Sequence, residues 1–126
     1  MSNKPRILAV DDNAISLMAI EQALKNEYEV ITVNSGDRAI RYLLCERPDL
    51  ILLDIQMAHK DGIETLKEMR AMKNGTDVPV IMLTSKNDRE TIVESSKLGI
   101  DDYVLKPFDS RKLEERIKQT LEKLKG

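Results

Sequence analysis

The 126-residue sequence has little of what builds secreted or membrane proteins. Its one cysteine, Cys45, has no second cysteine to pair with, and tryptophan does not occur. No apolar run approaches the roughly 18 residues that a membrane-spanning helix needs, and the amino-terminal segment lacks the pattern of a signal peptide. We therefore expect a soluble, cytoplasmic protein that does not insert into membranes.

An excess of charge of either sign is also lacking. The sequence has 20 Lys and Arg residues against 22 Asp and Glu residues, for a formal net charge of −2. Nucleic-acid binding ordinarily needs a basic patch, so we expect no direct nucleic-acid binding by this domain. The length is that of one domain, which buries roughly two-thirds of the surface of the unfolded chain. We expect residues 1–126 to form a single domain without disulfide or structural metal.

Five segments have the character of β-strands. Residues 7–10, 50–53 and 80–83 are short apolar runs without alternating polar positions, which is typical of parallel strands that are buried on both faces. Residues 29–33 and 103–105 are shorter or more polar but rich in β-branched and aromatic side chains. The sequence therefore predicts five strands.

Between and after the strands, apolar residues recur three and four positions apart, which predicts amphipathic helices with one buried stripe each. The four clear stripes are Leu17, Ile20 and Leu24; Ala39, Ile40, Leu43 and Leu44; Ile63, Leu66 and Met69; and Leu113, Ile117, Leu121 and Leu124. Residues 88–98 predict a fifth helix with a thin stripe around Ile92 and Val93. Ser35 and Asp109 are predicted to cap the amino termini of two helices.

The regular alternation of strand and helix predicts an α/β fold with a doubly wound sheet. Right-handed crossovers leave few arrangements, and we expect the flavodoxin-like one: a five-stranded parallel sheet of order 2-1-3-4-5 with five helices. The chain then reverses direction between strands 1 and 3. Because ligands of such sheets bind at the carboxyl ends of the strands, the functional site is expected there.

Polar side chains follow four of the predicted strands directly. Asp11 and Asp12 follow strand 1, Asp54 follows strand 3, Thr84 follows strand 4 and Lys106 follows strand 5. Since strands 1 and 3 are neighbours, the three carboxylates are expected to lie within a few ångströms of one another. Their repulsion must be relieved by a raised pKa or by a bound cation, and oxygen ligands suit Mg²⁺. The sequence therefore predicts a magnesium site.

The same residues are suited to phosphoryl chemistry. The carboxylate of Asp54 can act as a nucleophile on phosphorus. Lys106 and the cation would neutralise the oxygens of the transferring group, and the hydroxyl of Thr84 would hydrogen-bond one of them. The product would be an acyl phosphate on Asp54.

Several motifs occur in a fixed order at the ends of the predicted strands. They are residues 10–13 (VDDN), residues 54–57 (DIQM) followed by Asp61 and Gly62, residues 84–85 (TS), and residues 101–108 (DDYVLKPF). Together they resemble the receiver domain of two-component response regulators, and the resemblance covers essentially the whole chain. It implies a phosphorylation-controlled signalling switch of a phosphorelay rather than an enzyme.

The resemblance also implies a role for each acidic residue. Asp54 would be the phospho-acceptor and a metal ligand. Asp12 would bind Mg²⁺ directly and Asp11 indirectly, while the main-chain carbonyl of Gln56 would be the third protein ligand.

Three further positions have implied roles in the switch. Thr84 and Tyr103 would be the switch pair, and Lys106 would contact the phosphate, with the Lys106–Pro107 peptide bond cis. The implied phosphate donor is a sensor histidine kinase or a histidine phosphotransfer protein. The output would be a change on the face formed by helix 4, strand 5 and helix 5, read by a downstream protein or a covalently linked output domain.

Some positions depart from the pattern of the family. Ala58 stands where a proline commonly follows Met57, and Ile100 stands where alanine is usual. Gln56 and Lys86 occupy positions that tune the phosphate lifetime in this family. His59, in the loop after Asp54, is a lone histidine without partner ligands, and we expect it to be exposed.

Other interpretations of these residues remain open from the sequence. A phosphohydrolase of the haloacid-dehalogenase type also uses an aspartyl nucleophile, but it normally has a second Asp where Gln56 stands. A flavodoxin-like FMN carrier would need hydroxyls and amides in place of Asp11 and Asp12, which repel phosphate. Asp11 and Asp12 alone would be read as a helix cap. A receiver that serves only as an interaction platform is the remaining alternative.

Overall fold

The computed structural model describes residues 4–85 and 89–125. Strands and helices alternate along them, as the sequence predicts. The strands are β1 (Arg6–Val10), β2 (Glu29–Val33), β3 (Leu50–Asp54), β4 (Val80–Thr84) and β5 (Asp102–Leu105), and the helices are α1 (Ala14–Leu24), α2 (Gly36–Cys45), α3 (Gly62–Arg70), α4 (Arg89–Ser96) and α5 (Ser110–Lys125). Within the described residues, no helix combines the length and the apolar character that crossing a bilayer requires.

The five strands form one parallel sheet in the order β2-β1-β3-β4-β5, which confirms the predicted topology. Every residue of β3 and β4 is buried, which explains why these segments contain almost no polar side chains. In register, Val10 lies beside Leu53, and Thr84 lies beside Leu105. The segments that follow these strands therefore begin at the same edge of the sheet.

The two faces of the sheet form two separate cores. Because successive side chains of a strand point to opposite faces, β1 sends Leu8 and Val10 to one core and Ile7 and Ala9 to the other. The first core is closed by α2 and α3 with a contribution from α4, and the second is closed by α1 and α5. Since both faces are covered by helices, the exposed carboxyl edge is where polar groups can converge.

The predicted helix caps are confirmed. The hydroxyl oxygen of Ser35 accepts a hydrogen bond from the backbone N–H of Arg38 at 3.1 Å. The carboxylate of Asp109 accepts one from the N–H of Arg111 at 2.8 Å. These bonds satisfy backbone donors that have no partner within the first turn of a helix.

Two residues of the predicted buried stripes are exposed instead. Leu44 is 69% exposed and Leu124 is 59% exposed. Leu44 follows the fully packed Leu43 by about 100° around α2, which turns it away from the sheet. The 16 residues of α5 span roughly 24 Å, whereas a five-residue strand spans roughly 17 Å, so the last turn with Leu124 extends beyond the sheet.

The thin apolar stripe predicted for α4 is confirmed in part: Ile92 packs against the first core, whereas Val93 is 57% exposed. The segment after α4 is held by Arg70 of α3, whose guanidinium donates hydrogen bonds to the carbonyl oxygens of Leu98 and Gly99 at 3.3 and 2.6 Å. The same side chain donates to the carbonyl of Val78, two residues before β4. Arg70 therefore ties the carboxyl-terminal end of α4 to the sheet.

Candidate functional site

The structure brings together the three carboxylates that follow β1 and end β3. One oxygen from each of Asp11, Asp12 and Asp54 lies within 4.8 Å of the others. Asp11 is fully buried and Asp54 is 5% exposed, whereas Asp12 is exposed. The cluster is therefore open to solvent on the Asp12 side and closed underneath.

Lys106 brings a positive charge to this cluster from two strands away. Its ammonium nitrogen lies 2.6 Å from Oδ2 of Asp11 and 3.4 Å from Oδ2 of Asp54. Its backbone N–H donates to the carbonyl of Thr84 at 2.7 Å, which fixes the start of the side chain at the sheet edge. The Lys106–Pro107 peptide bond is cis, as the resemblance implies.

Asn13, not Asp11 or Asp12, caps α1. Its side-chain oxygen accepts hydrogen bonds from the N–H groups of Ile15 and Ser16 at 2.9 and 3.0 Å. Its own N–H donates to Oδ1 of Asp11 at 2.9 Å, so the cap also orients the buried carboxylate. The interpretation of the two aspartates as a mere cap is therefore wrong. The sequence signal was available, because asparagine directly before a helix is a preferred cap.

A cleft of about 190 Å³ opens over the cluster. Its lining consists of Asp11, Asp12, Asn13, Asp54, Gln56, Ser85 and Lys106. Among the predicted site residues, Thr84 is outside this lining: it is buried, and its hydroxyl donates to the carbonyl of Ser85 at 3.2 Å. Tyr103 is 46% exposed on β5. Ser85 lines the cleft although the sequence predicts no role for it, and Lys86 lies outside the described residues.

The pair Asp61 and Gly62 sets the start of α3 against the acceptor strand. Asp61 caps the helix by accepting from the N–H of Glu64 at 2.9 Å. A Cβ at Gly62 would lie 2.3 Å from the carbonyl oxygen of Asp54 and 2.8 Å from Cα of Ile55. Only glycine allows this approach to the backbone, so Gly62 fixes the position of Asp54 from below.

The two departures from the family pattern are accommodated in different ways. Ala58 is exposed, and its N–H, which a proline would lack, donates to Oδ2 of Asp12 at 2.9 Å. Ile100 packs against the first core. His59 is exposed, as predicted.

Burial and the negative charge of Asp11 raise the pKa of Asp54 to about 7, and the positive charge of Lys106 opposes this rise. Three carboxylates outnumber one ammonium, so the repulsion expected from the sequence is only partly relieved. A cation held by the carboxylates would favour the charged form of Asp54. The electrostatics of the cleft therefore favour a hard divalent cation.

Comparison with known proteins identifies the family to which the chain belongs. Residues 7–118 match the sequence model of the response regulator receiver domain. The chain belongs to this family. Among curated relatives, it is 38% identical over 117 residues to the alkaline phosphatase synthesis transcriptional regulatory protein PhoP of Bacillus subtilis, covering 92% of this chain and 48% of PhoP. The chain thus spans about half the length of the curated relatives it matches.

Solved receiver structures have the same fold. The Vibrio cholerae chemotaxis protein CheY4 superimposes with a TM-score of 0.88 at 27% identity, over 93% of this chain and 98% of that chain. The receiver domain of sensor histidine kinase PA1611 from Pseudomonas aeruginosa has a TM-score of 0.85 at 34% identity, over 94% and 98% of the two chains. The latter structure has a magnesium ion coordinated in the active site cleft.

Membership of this family settles the class of function. Receiver domains are signalling switches of two-component systems and generally not enzymes, they bind Mg²⁺ at an acidic site, and they work with histidine kinases and often with output domains. The phosphohydrolase and FMN-carrier alternatives are therefore set aside. Among the described residues, Asp11, Asp12 and Asp54 form a carboxylate cluster that could hold a metal ion.

The raised pKa of Asp54 predicts a specific dependence of stability on pH in the metal-free protein. Because folding raises this pKa from an ordinary 3.8 to about 7, the native state retains a proton that the unfolded chain releases between these values. The stability that this proton contributes is lost as the pH rises toward 7. Asp54→Asn stays neutral, so it should stabilise the protein more at pH 8 than at pH 5.

Urea unfolding of the wild type and the variant at both pH values, with a chelator present, measures this difference. Asp77→Asn is the matched control, because Asp77 has an exposed side chain outside the site. Its effect on the free energy of unfolding should be the same at both pH values. An Asp54→Asn effect that does not grow between pH 5 and pH 8 would contradict the raised pKa.

Proposed function

We propose that residues 1–126 form a receiver domain in which Asp54 accepts a phosphoryl group from a histidine kinase or a histidine phosphotransfer protein. The observation that carries this proposal is the placement of Asp54 at the base of the cleft, with Asp11 on one side and the ammonium of Lys106 3.4 Å from its Oδ2. We also propose a cytoplasmic location, because that location is typical of receiver domains.

The residues at the cleft fit Mg²⁺ because they are hard oxygen donors with three carboxylates inside 4.8 Å. Asp12 and Asp54 would hold the ion directly and Asp11 indirectly, with the main-chain carbonyl of Gln56 as a further ligand. When bound, Mg²⁺ would neutralise negative charge on the carboxylates and on the phosphoryl oxygens.

The transfer itself is a nucleophilic displacement. A carboxylate oxygen of Asp54 would attack the phosphorus of a phosphohistidine, so that an O–P bond forms while the N–P bond breaks and the histidine leaves with the bonding electron pair. The ammonium of Lys106 would stabilise the negative charge of the transferring group. The ionised carboxylate of Asp54 carries no proton, so its attack needs no general base.

Phosphorylation would act on the output face through Thr84. Its hydroxyl bonds to the carbonyl of Ser85 in this structure and would turn toward a phosphoryl oxygen. The space that it leaves would admit the ring of Tyr103, whose strand β5 is paired with β4. Such coupling amounts to about 1–3 kcal/mol, so both arrangements would be populated without phosphate.

The output face lies on α4, β5 and α5. It carries the exposed apolar side chains of Val93, Tyr103 and Leu105. A change in Tyr103 would alter this surface, and a downstream protein or a covalently linked output domain would respond to it. We propose that this domain does not itself contact nucleic acid.

Incubation with acetyl phosphate and Mg²⁺ should add one phosphoryl group to the protein, as measured by intact mass. Asp54→Asn should abolish the addition because it removes the nucleophile, whereas the control Asp77→Asn should leave it unchanged. Phosphate that still appears on Asp54→Asn would mean that another residue is the acceptor. A wild type that takes up none would support an interaction platform that does not depend on phosphate.

Beryllofluoride, a stable mimic of a phosphoryl group on a carboxylate, should move Tyr103 inward. The chain has three tyrosines, so fluorotyrosine labelling gives few ¹⁹F NMR signals, and Tyr103→Phe identifies the relevant one. Its signal should shift on addition of Mg²⁺ and beryllofluoride, and Thr84→Ala should suppress the shift. Thr32→Ala, on the exposed edge strand, should retain it. A shift that persists in Thr84→Ala would contradict the coupling of the two residues.

A further inference from the structure

The exposed carboxylate of Asp12 is held by the backbone of a distant loop. The N–H of Ala58 donates a hydrogen bond to its Oδ2 at 2.9 Å. Asp12 follows β1, whereas Ala58 lies between β3 and α3, in the segment that also carries Gln56. Asp11, by contrast, is buried and bonded to Lys106 and Asn13. The exposed aspartate depends on a loop for its orientation.

The loop that presents this N–H is itself constrained. The N–H of Lys60 donates to the carbonyl of Ala58 at 2.8 Å across His59, whose φ of 67° is that of a strained three-residue turn. The ammonium of Lys60 lies 2.8 Å from Asp37 of α2 and 2.7 Å from Glu68 of α3. The loop that carries Ala58 is therefore tied through Lys60 to both α2 and α3.

A carboxylate can accept such a bond and still bind a cation, because its two oxygens offer about four lone pairs. Hydrogen bonds to metal ligands commonly orient them, and their removal weakens metal binding by about 10- to 100-fold. An exposed side chain that is already oriented loses less conformational freedom when the ion binds.

We propose that the backbone N–H of Ala58 is a positioning donor for the Mg²⁺ site. It sets the carboxylate of Asp12 before the ion binds, and it joins that ligand to the loop that offers the carbonyl of Gln56. The inference rests on the metal ligands named under the proposed function. Any residue other than proline supplies this donor at position 58, so the backbone and not the alanine side chain has the role.

The experiment is a titration with Mg²⁺ alone, followed by NMR, of the wild type, Ala58→Pro and Ala58→Val. Proline removes the N–H, whereas valine has similar bulk and keeps it. Ala58→Pro should bind Mg²⁺ about tenfold more weakly, and Ala58→Val should stay within about twofold of the wild type. Thermal unfolding of the metal-free proteins checks that both variants fold.

Amide hydrogen exchange in the wild type tests the same bond without a proline. The Ala58 amide should exchange at least about tenfold more slowly than an unbonded exposed amide, and Asp12→Ala should remove this protection. The Lys60 amide, which bonds within the loop, should remain protected in Asp12→Ala. If Ala58→Pro does not fold, this measurement decides: an unprotected Ala58 amide overturns the proposal.

The outcomes separate this inference from the proposed function. A wild type that binds no Mg²⁺ would overturn both the metal site and the role of Ala58. A wild type that binds Mg²⁺ with the same affinity as a folded Ala58→Pro would overturn the role of Ala58 alone. Weaker binding by both Ala58→Pro and Ala58→Val would also overturn it, because valine keeps the donor.

Discussion

The ammonium of Lys106 lies 2.6 Å from Asp11 and 3.4 Å from Asp54 and compensates part of the negative charge of the buried carboxylates. Buried charges are costly unless they are paired, and both of these aspartates are almost fully buried. One ammonium balances only part of the negative charge. Burial, together with the negative charge of Asp11, raises the pKa of Asp54, and the uncompensated charge leaves the cleft suited to a divalent cation. The raised pKa of Asp54 and the suitability of the cleft for a cation thus depend in part on the same excess of carboxylates over ammonium groups.

The surrounding fold holds the carboxylates of Asp11 and Asp54 close to the ammonium of Lys106. The parallel sheet ends all of its strands at one edge, so residues far apart in sequence meet there. Gly62 lets α3 begin against the backbone of Asp54, and Asn13 caps α1 while orienting Asp11. At the other end of α3, Arg70 anchors the segment after α4 through backbone carbonyls.

Much of this could be predicted from the sequence because buried parallel strands have a clear signature. Runs such as residues 50–53 admit few other interpretations, and the crossover rule then places Asp11 beside Asp54. The exposure of Leu44 and Leu124 was missed because apolar periodicity does not say how far a helix overlaps its sheet. The orientation of the Thr84 hydroxyl, which donates to the carbonyl of Ser85, could not be predicted because residue type does not specify which acceptor a hydroxyl bonds. The hydrogen bond from Ala58 could not be predicted, because a residue other than proline at position 58 shows that an N–H is present but not which group accepts its hydrogen bond.

The most direct test of the charge imbalance is Mg²⁺ affinity, measured by calorimetry on the wild type and Lys106→Met. Methionine keeps the length of the side chain but removes the competing ammonium. Because Lys106 also lowers the pKa of Asp54, both proteins are measured at a pH high enough to keep Asp54 ionised. Under that condition the variant should bind Mg²⁺ several-fold more tightly. Lys112→Met, on the exposed face of α5, should match the wild type. Weaker or unchanged binding by Lys106→Met would contradict the account, because Lys106 would then not be the counter-charge of the carboxylate cluster.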